Sequence, residues 1–254
     1  MKIDLNCDMG ESFGNYKIGN DEEMLQVITS ANIACGFHAG DPNVMCHTVQ
    51  MAKANGVAIG AHPGFPDLEG FGRRTMICTD EEIKNYIRYQ VGALREFCTF
   101  AGVELQHVKP HGNMYTMAQE DDDLARSILE VIATLGKNVI TFAEYNSAIS
   151  NMAVKMGVPV AIEGFGDRTY AANAHYIQVR KGPDKEHQVG LIERDVRLVK
   201  EKKIVAVTGE DIDLPVQTIC IHGDTIGAVD LMRDLRKALE AEGVEITAAK
   251  NIVL

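Results

Sequence analysis

The sequence predicts an α/β protein whose parallel sheet closes into a (β/α) barrel, and three observations predict it. Short apolar runs alternate with helical patterns, most of which stop at a glycine. That alternation implies parallel strands joined by right-handed crossovers. The strand-like runs carry small or polar residues on one parity, whereas a strand sandwiched between helix layers reads as continuously apolar. Finally, the 254 residues suffice for one barrel or two small domains, and no Gly/Ser/Pro-rich linker or short repeat divides them. A single domain over residues 1–254 is therefore expected.

The first strand-like runs lie near residues 2–6 and 31–37. Asp41-Pro42 then starts a helix, with Asp as N-cap and Pro at the first helical position, and Gly56 lies just past its end. After a run near 57–61 and a long loop, Thr79-Asp80-Glu81-Glu82 forms a capping box, in which hydroxyl and carboxylate satisfy otherwise unpaired backbone N–H groups. Ile83, Ile87, Leu94 and Cys98 form the stripe of that helix, which stops at Gly102. A run near 105–109 precedes a second stripe, Leu124, Ile128, Ile132 and Leu135, closed by Gly136. Runs near 138–142 and 158–162 follow. Residues 170–207 break the rhythm: they are charged, carry Gly182-Pro183, and read as an inserted loop or hairpin with a helix. A run near 218–222 and a stripe of Ala228, Leu231, Leu235 and Leu239, closed by Gly243, complete the pattern.

Composition narrows the functional classes. Hydrophobic residues make up 46% of the chain, enough for a real core. The formal net charge of -11 disfavours nucleic-acid and membrane-surface binding, because phosphate backbones and anionic lipids are also negative. No run of 18 apolar residues predicts a membrane span, and Met1-Lys2-Ile3-Asp4-Leu5-Asn6 reads as a strand rather than a signal segment. Six cysteines without a CxxC pair suggest reduced thiols, so a cytoplasmic location is expected.

Strand parity locates the chemistry. Asp4, Asn6 and Asp8 share one face of the first strand, and Ile3, Leu5 and Cys7 the other. The pattern recurs in Asn32, Ala34, Gly36 and His38, in Ala58, Gly60 and His62, and in His107, Lys109 and His111. It recurs again in Ala161 with Glu163, and in Thr218, Cys220, His222 and Asp224. In a barrel these faces point inward, and the last residue of each series lies on the C-terminal rim, where barrel active sites are found. A lone strand-end histidine is more often a packed structural residue than a catalyst. Here four histidines, His38, His62, His111 and His222, close four different strands. His47 and His187 lack that placement and read as solvated.

The loops add to this picture. Gly10-Glu11-Ser12-Phe13-Gly14 follows the first strand, and Gly60-Ala61-His62-Pro63-Gly64-Phe65-Pro66-Asp67 follows the third. Gly70-Phe71-Gly72-Arg73-Arg74 ends the second loop, and Arg73 or Arg74 is suited to gripping a carboxylate or phosphate. Turn-shaping is the ordinary role of such glycines and prolines, and Asp167-Arg168 reads equally well as a simple salt bridge. The chain contains no GxxxxGK[ST], GxSxG or HExxH. Cys35 falls on the helix-facing parity and is expected in the core.

These segments resemble the LamB/YcsF family. The resemblance is carried by Asp4 through Gly14, Ser30 through Pro42, Gly60 through Arg74, Val108-Lys109-Pro110-His111-Gly112 and Ile219-Cys220-Ile221-His222-Gly223-Asp224. It implies a distorted seven-stranded (β/α) barrel like the glycoside hydrolase/deacetylase superfamily. It also implies a 5-oxoprolinase activity: ATP-dependent opening of the 5-oxoproline lactam to L-glutamate, carried out with two partner subunits, B and C. Two segments depart from the family pattern. The usual Glu-Ala-Phe-Ala-Asp-Arg appears as Glu163-Gly164-Phe165-Gly166-Asp167-Arg168, which keeps the polar positions, and Ala171 to Val189 match poorly.

For that chemistry, Asp8 or His62 is expected as base, with Lys109 and His111 as electrostatic stabilisers and Arg73 or Arg74 on the substrate carboxylate. Asn6, Glu11, Asn32, His38, Glu163, Arg168, His222 and Asp224 are expected to bind substrate. The missing Walker motif suggests that the partners supply much of the ATP site. Two other readings stay open. One is a metal-dependent hydrolase of amides or N-acetyl sugars, with Asp8, His38 and His62 as donors to Zn²⁺ or a similar divalent ion. Against it, Asp41 follows His38 where a deacetylase would place a second histidine. The other is a non-catalytic subunit that binds a small acid. Whether the chain alone turns anything over discriminates among them.

Overall fold

Seven parallel strands close on themselves in the computed structural model, which describes residues 1–177, 188–223 and 225–254. In chain order the elements are β1 (Lys2–Met9), α1 (Asp21–Met24), β2 (Ser30–Ala34), α2 (Pro42–Ala54), β3 (Ala58–His62), α3 (Asp80–Ala101) and β4 (Leu105–Val108). They continue with α4 (Gly112–Ala118), α5 (Asp122–Thr134), β5 (Ile140–Ala143), α6 (Ala148–Met156) and β6 (Val160–Phe165). The chain ends with α7 (Leu191–Glu201), β7 (Lys203–Val205), β8 (Asp211–Asp213), β9 (Thr218–Cys220), α8 (Ala228–Ala241), β10 (Glu245–Ile246) and α9 (Lys250–Val253). Strands β1 to β6 pair in sequence order, β6 pairs with β9, and β9 returns to β1, so the ring has no free edge. Strand β10 attaches beside the start of β1, outside the ring.

Alternation along β1 divides two environments. Ile3, Leu5 and Cys7 are fully buried among apolar side chains beneath the helices. Asp4 and Asn6 are equally buried but point into the barrel. The long helix α3 forms where the capping box places it: Thr79 Oγ1 accepts from Glu82 N, and the Glu82 carboxylate accepts from Thr79 N. Its buried stripe, Ile83, Ile87, Val91, Leu94 and Cys98, faces the sheet, and a left-handed Gly102 ends it. Asp41 caps α2 by accepting from Asn43 N and Val44 N.

The second strand stops at Ala34 rather than near residue 37, because the chain turns at Gly36, whose φ is 90°. Helices α4 and α6 and the small elements α1, β10 and α9 have no counterpart in the sequence reading. Residues 178–187 of the 170–207 segment lie outside the described residues; of the rest, α7 packs against α8, and β7 pairs antiparallel with β8, beyond residue 207, outside the barrel ring. No described helix is long and apolar enough to cross a membrane.

Candidate active site

The barrel interior is a chain of hydrogen bonds whose direction can be followed residue by residue. Asp4 accepts from Thr29 Oγ1 (2.7 Å), Ser30 Oγ (2.6 Å) and Thr218 Oγ1 (2.5 Å). Burial nevertheless pushes its carboxyl up to about 6, against those hydrogen bonds. Thr218 Oγ1 accepts in turn from Asn6 Nδ2 (2.6 Å), which also donates to Glu163 Oε1 (3.0 Å). Asn32 Nδ2 donates to Asn6 Oδ1 (2.7 Å) and to Asp8 Oδ1 (2.8 Å). Asn32 Oδ1 accepts from His107 Nε2 (2.7 Å), whose Nδ1 receives the Gln106 amide at 3.0 Å. Burial, then the Lys109 charge, holds His107 well below the usual histidine range, so this ring is neutral and structural. It stacks on Phe142 (4.1 Å, 6°). Gly60 leaves room for it: a Cβ there would lie 2.0 Å from His107 Nε2.

One layer nearer the C-terminal rim sits the reactive cluster. Lys109 Nζ donates to Glu163 Oε1 (2.8 Å), Asp8 Oδ1 (3.2 Å) and Cys220 Sγ (3.3 Å), which uses all three ammonium protons. Burial would lower this lysine, but Asp8, Cys220 and Glu163 outweigh it and keep it well above its ordinary value. Burial would likewise raise Asp8, but His62 and then Lys109 hold it well below the usual carboxylate range. Asp8 is thus a fixed anion and Lys109 a fixed cation. A carboxylate held that low is a poor proton acceptor, which disfavours Asp8 as the base.

The histidines meet beside Asp8. His62 Nε2 lies 3.3 Å from Asp8 Oδ2 and 2.9 Å from His111 Nδ1. His38 stacks on His111 with centroids 3.6 Å apart and planes within 3°. Its Nε2 is 3.4 Å from Glu11 Oε1, which lies 3.7 Å from His111 Nδ1. Burial is the main reason that His38 and His111 both sit well below the usual histidine range. The loop after β3 covers them. Phe71 adopts a left-handed φ of 55°, Gly72 follows at 65°, and a Cβ on Gly72 would lie 2.8 Å from the His111 ring and from His38 Cβ.

Asp8, His62, Arg73, Lys109, His111, Arg168 and His222 line one pocket, closed on its apolar side by Tyr115, Phe165 and Tyr176. Asn6, Asn32 and Glu163 lie beneath it and reach it through Asp8 and Lys109. Glu11 and His38 stand behind His111. Arg74 is not brought there. Its guanidinium binds Asp67 and Glu69 within its own loop and is half exposed, so of the two arginines only Arg73 lines the pocket. Asp224 and His187 lie outside the described residues, and His47 is exposed on α2.

Asp167 anchors the far wall. It accepts from His222 Nδ1 (3.1 Å), Thr225 Oγ1 (2.6 Å) and Arg168 Nη1 (2.7 Å). Sequence reasoning leaves Asp167-Arg168 open between a site pair and a simple salt bridge, and misses Tyr115, Phe165 and Tyr176 as pocket walls. Phe165 shares the inward parity of Glu163, and Tyr115 lies one helical turn beyond His111, so spacing alone carries both.

Four residues can offer metal-ligating atoms within 4.8 Å of one another: Glu11, His38, His62 and His111. This differs from the trio expected from sequence. His38 and His62 remain, but Asp8 groups instead with Cys220 and His222.

Comparison with known proteins supplies the relationship. Residues 3–253 match the LamB/YcsF family. The A subunit of 5-oxoprolinase from Pyrococcus horikoshii is 50% identical over 254 residues, covering all of both chains. The crystal structure of a lactam utilization protein from Thermus thermophilus superposes with a TM-score of 0.91 at 38% identity, covering 98% of this chain and all of the other. Bacillus subtilis PdaA, a family 4 carbohydrate esterase, superposes at 0.51 with 11% identity over 98% of this chain and 79% of its own, a likeness of fold alone. The chain belongs to the LamB/YcsF family.

Proposed function

We propose that this chain is the A subunit of a 5-oxoprolinase, a hydrolase that opens the lactam of 5-oxoproline to L-glutamate with ATP hydrolysis, acting with partner subunits B and C in the cytoplasm. The observation that carries the reading is full-length identity at half of all positions with a protein of that name. The pocket chemistry suits it. A lactam carbonyl is a poor electrophile, and transfer of the ATP γ-phosphoryl group to its oxygen activates the ring carbon. Water then adds to that carbon, the C–N bond breaks with the ring nitrogen taking up a proton to become the glutamate amine, and a second water hydrolyses the resulting acyl phosphate to the carboxylate and inorganic phosphate.

Each step needs a group that the pocket offers. Lys109, a buried cation that lines the pocket, suits electrostatic stabilisation of negative charge developing on the carbonyl oxygen. Arg73 and Arg168, both lining the pocket, suit the substrate carboxylate. With Asp8 a weak base, the pocket histidines His62 and His111 are the groups left to activate the attacking water. No GxxxxGK[ST] motif occurs in the sequence, which favours partners supplying much of the nucleotide site.

The test is glutamate release from 5-oxoproline, with and without ATP, by the chain alone and with subunits B and C. Activity only in the complete, ATP-supplied mixture is expected. Full turnover by the chain alone would instead make it a self-sufficient hydrolase. In the complete mixture, Lys109→Met is expected to lower turnover by roughly 10²–10³-fold, the scale of losing the electrostatic stabilisation of a developing oxyanion. Unchanged turnover would remove Lys109 from that role.

A further inference from the structure

The two pocket histidines beside Asp8, His62 and His111, face each other with the wrong atoms. His62 Nδ1 lies 2.7 Å from the Lys109 carbonyl oxygen, and His111 Nε2 lies 2.8 Å from the Phe71 carbonyl oxygen. A carbonyl can only accept, so each of those nitrogens carries the proton. In the neutral rings, His62 Nε2 and His111 Nδ1 are therefore both bare lone pairs, yet they stand 2.9 Å apart. The nearby oxygens are also acceptors: Glu11 Oε1 at 3.7 Å from His111 Nδ1, and Asp8 Oδ2 at 3.3 Å from His62 Nε2. Neither ring nitrogen of the fully buried His38 has a hydrogen-bond partner, and its Nε2 is 3.4 Å from the same Glu11 oxygen. Lone pairs that converge in a buried place need a positive centre between them.

We propose that Glu11, His62 and His111 hold a divalent transition-metal ion of the Zn²⁺ class, with a further coordination position open toward the pocket. The spacing fits. Metal–ligand bonds of roughly 2.1 Å in a tetrahedral site put neighbouring ligand atoms about 3.4 Å apart. The distances of 2.9 Å between the two histidine nitrogens and 3.7 Å from Glu11 to His111 bracket that value. Two imidazoles and one carboxylate suit a borderline ion and are poor for Mg²⁺ or Ca²⁺, which prefer oxygen. Both ligand histidines already have the outer partner that metal-bound imidazoles use to fix tautomer and ring direction, here the carbonyls of Lys109 and Phe71. His38 is stacked parallel on His111, so a metal in the plane of His111 lies well off the plane of His38. It packs the ligand ring and is not itself a ligand. His62 and His111 both line the pocket, so the open position faces the place where water and a polarised carbonyl would meet.

The test uses the full-length chain, stripped with a chelator and titrated separately with Zn²⁺ and Co²⁺ alone. Calorimetry is expected to give one equivalent of Zn²⁺. Co²⁺ is expected to give the visible absorption of a tetrahedral or five-coordinate nitrogen–oxygen site. Glu11→Gln and His111→Ala, checked for folding by circular dichroism, are each expected to weaken binding by more than the roughly 10- to 100-fold that losing an outer partner costs. His38→Phe, which keeps a stacked ring, is expected to retain stoichiometric binding. Wild-type protein that takes up neither ion stoichiometrically overturns the proposal and leaves a shared proton between the two nitrogens. Unchanged affinity in folded Glu11→Gln and His111→Ala overturns the ligand assignment. The readout is metal uptake, so failure of the lactam reading leaves it standing, and the reverse holds as well.

Discussion

At the scale of single residues, the site separates groups that hold charge from groups that hold position. Asp8 keeps its charge because His62 and then Lys109 outweigh its burial, and Lys109 keeps its charge because Asp8, Cys220 and Glu163 outweigh its own. Asp167 does the positioning: it fixes the His222 ring, the Thr225 hydroxyl and the Arg168 guanidinium at once. Burial would raise its carboxyl, but His222 and then Arg168 and Thr225 hold it down at about 2, from an ordinary 3.8. A depressed carboxyl stabilises the fold above its unfolded value, and that contribution fades as pH falls through the folded value. Asp167→Asn removes the titration. The variant is expected to be less stable than the wild type near pH 7, and the difference should shrink by about 2 kcal/mol between pH 4 and pH 2. Denaturant melts of both proteins across that range provide the measurement, and a gap that does not narrow toward pH 2 would contradict the assignment.

At the scale of elements, the packing between β3 and β4 controls how the site is supported from below. Ile59 pairs with Leu105 and Gly60 with His107, so Gln106 is an extra residue and the ladder slips there. The slip lets both Gln106 and His107 join the interior network: Gln106 reaches Ser30 at 2.9 Å, and His107 reaches Asn32. Gly60→Ala would push a methyl into the His107 ring, at a cost of about 1–3 kcal/mol for an overpacked core. Asn32 would lose its donor, and Asp8 its orientation. Both a lowered melting temperature and a loss of activity are therefore expected, although Gly60 touches no pocket group. Wild-type stability in this variant would mean that the His107 ring has another place to go. The same ladder shows what a sequence can carry. A period of two places Asp8 and His62 on inward faces, because strand geometry enforces that period, whereas Lys109, His111 and His222 line the pocket from just beyond the ends of β4 and β9. A bulge breaks the period and gives no sequence sign, so Gln106 is not legible there. Loops have no period at all, which is why Arg73 and Arg74 are indistinguishable in sequence and only the binding of Arg74 to Asp67 and Glu69 separates them. The glycine-rich loop marks Glu11 for substrate, but its place beside His38 and His111 depends on three separate strand ends meeting.

At the scale of the whole molecule, closure of the ring joins residues from the two ends of the chain. Strand β1 pairs with β9, so Asp4 stands opposite Thr218 and Asn6 opposite Cys220. Neither strand can leave without opening the interior network that both share. We expect residues 1–254 to unfold as one domain, including the excursion after β6, and the reason is local. Arg194 on α7 donates to the carbonyl oxygens of Arg168 (2.6 Å) and Gly166 (2.7 Å), in the loop that carries Asp167 and the far wall of the pocket. Leu214 N bonds to Lys202 O, which ties the end of the hairpin to the end of α7, and α7 packs on α8. Melting the excursion would therefore strip partners from the site loop and uncover α8 at the same time. Differential scanning calorimetry is expected to show a single transition, with calorimetric and van't Hoff enthalpies in agreement. Arg194→Ala should lower that transition without splitting it. A separate low-temperature peak, or an early transition in the variant that leaves the remainder unchanged, would mean that the excursion is an independent unit resting on the barrel.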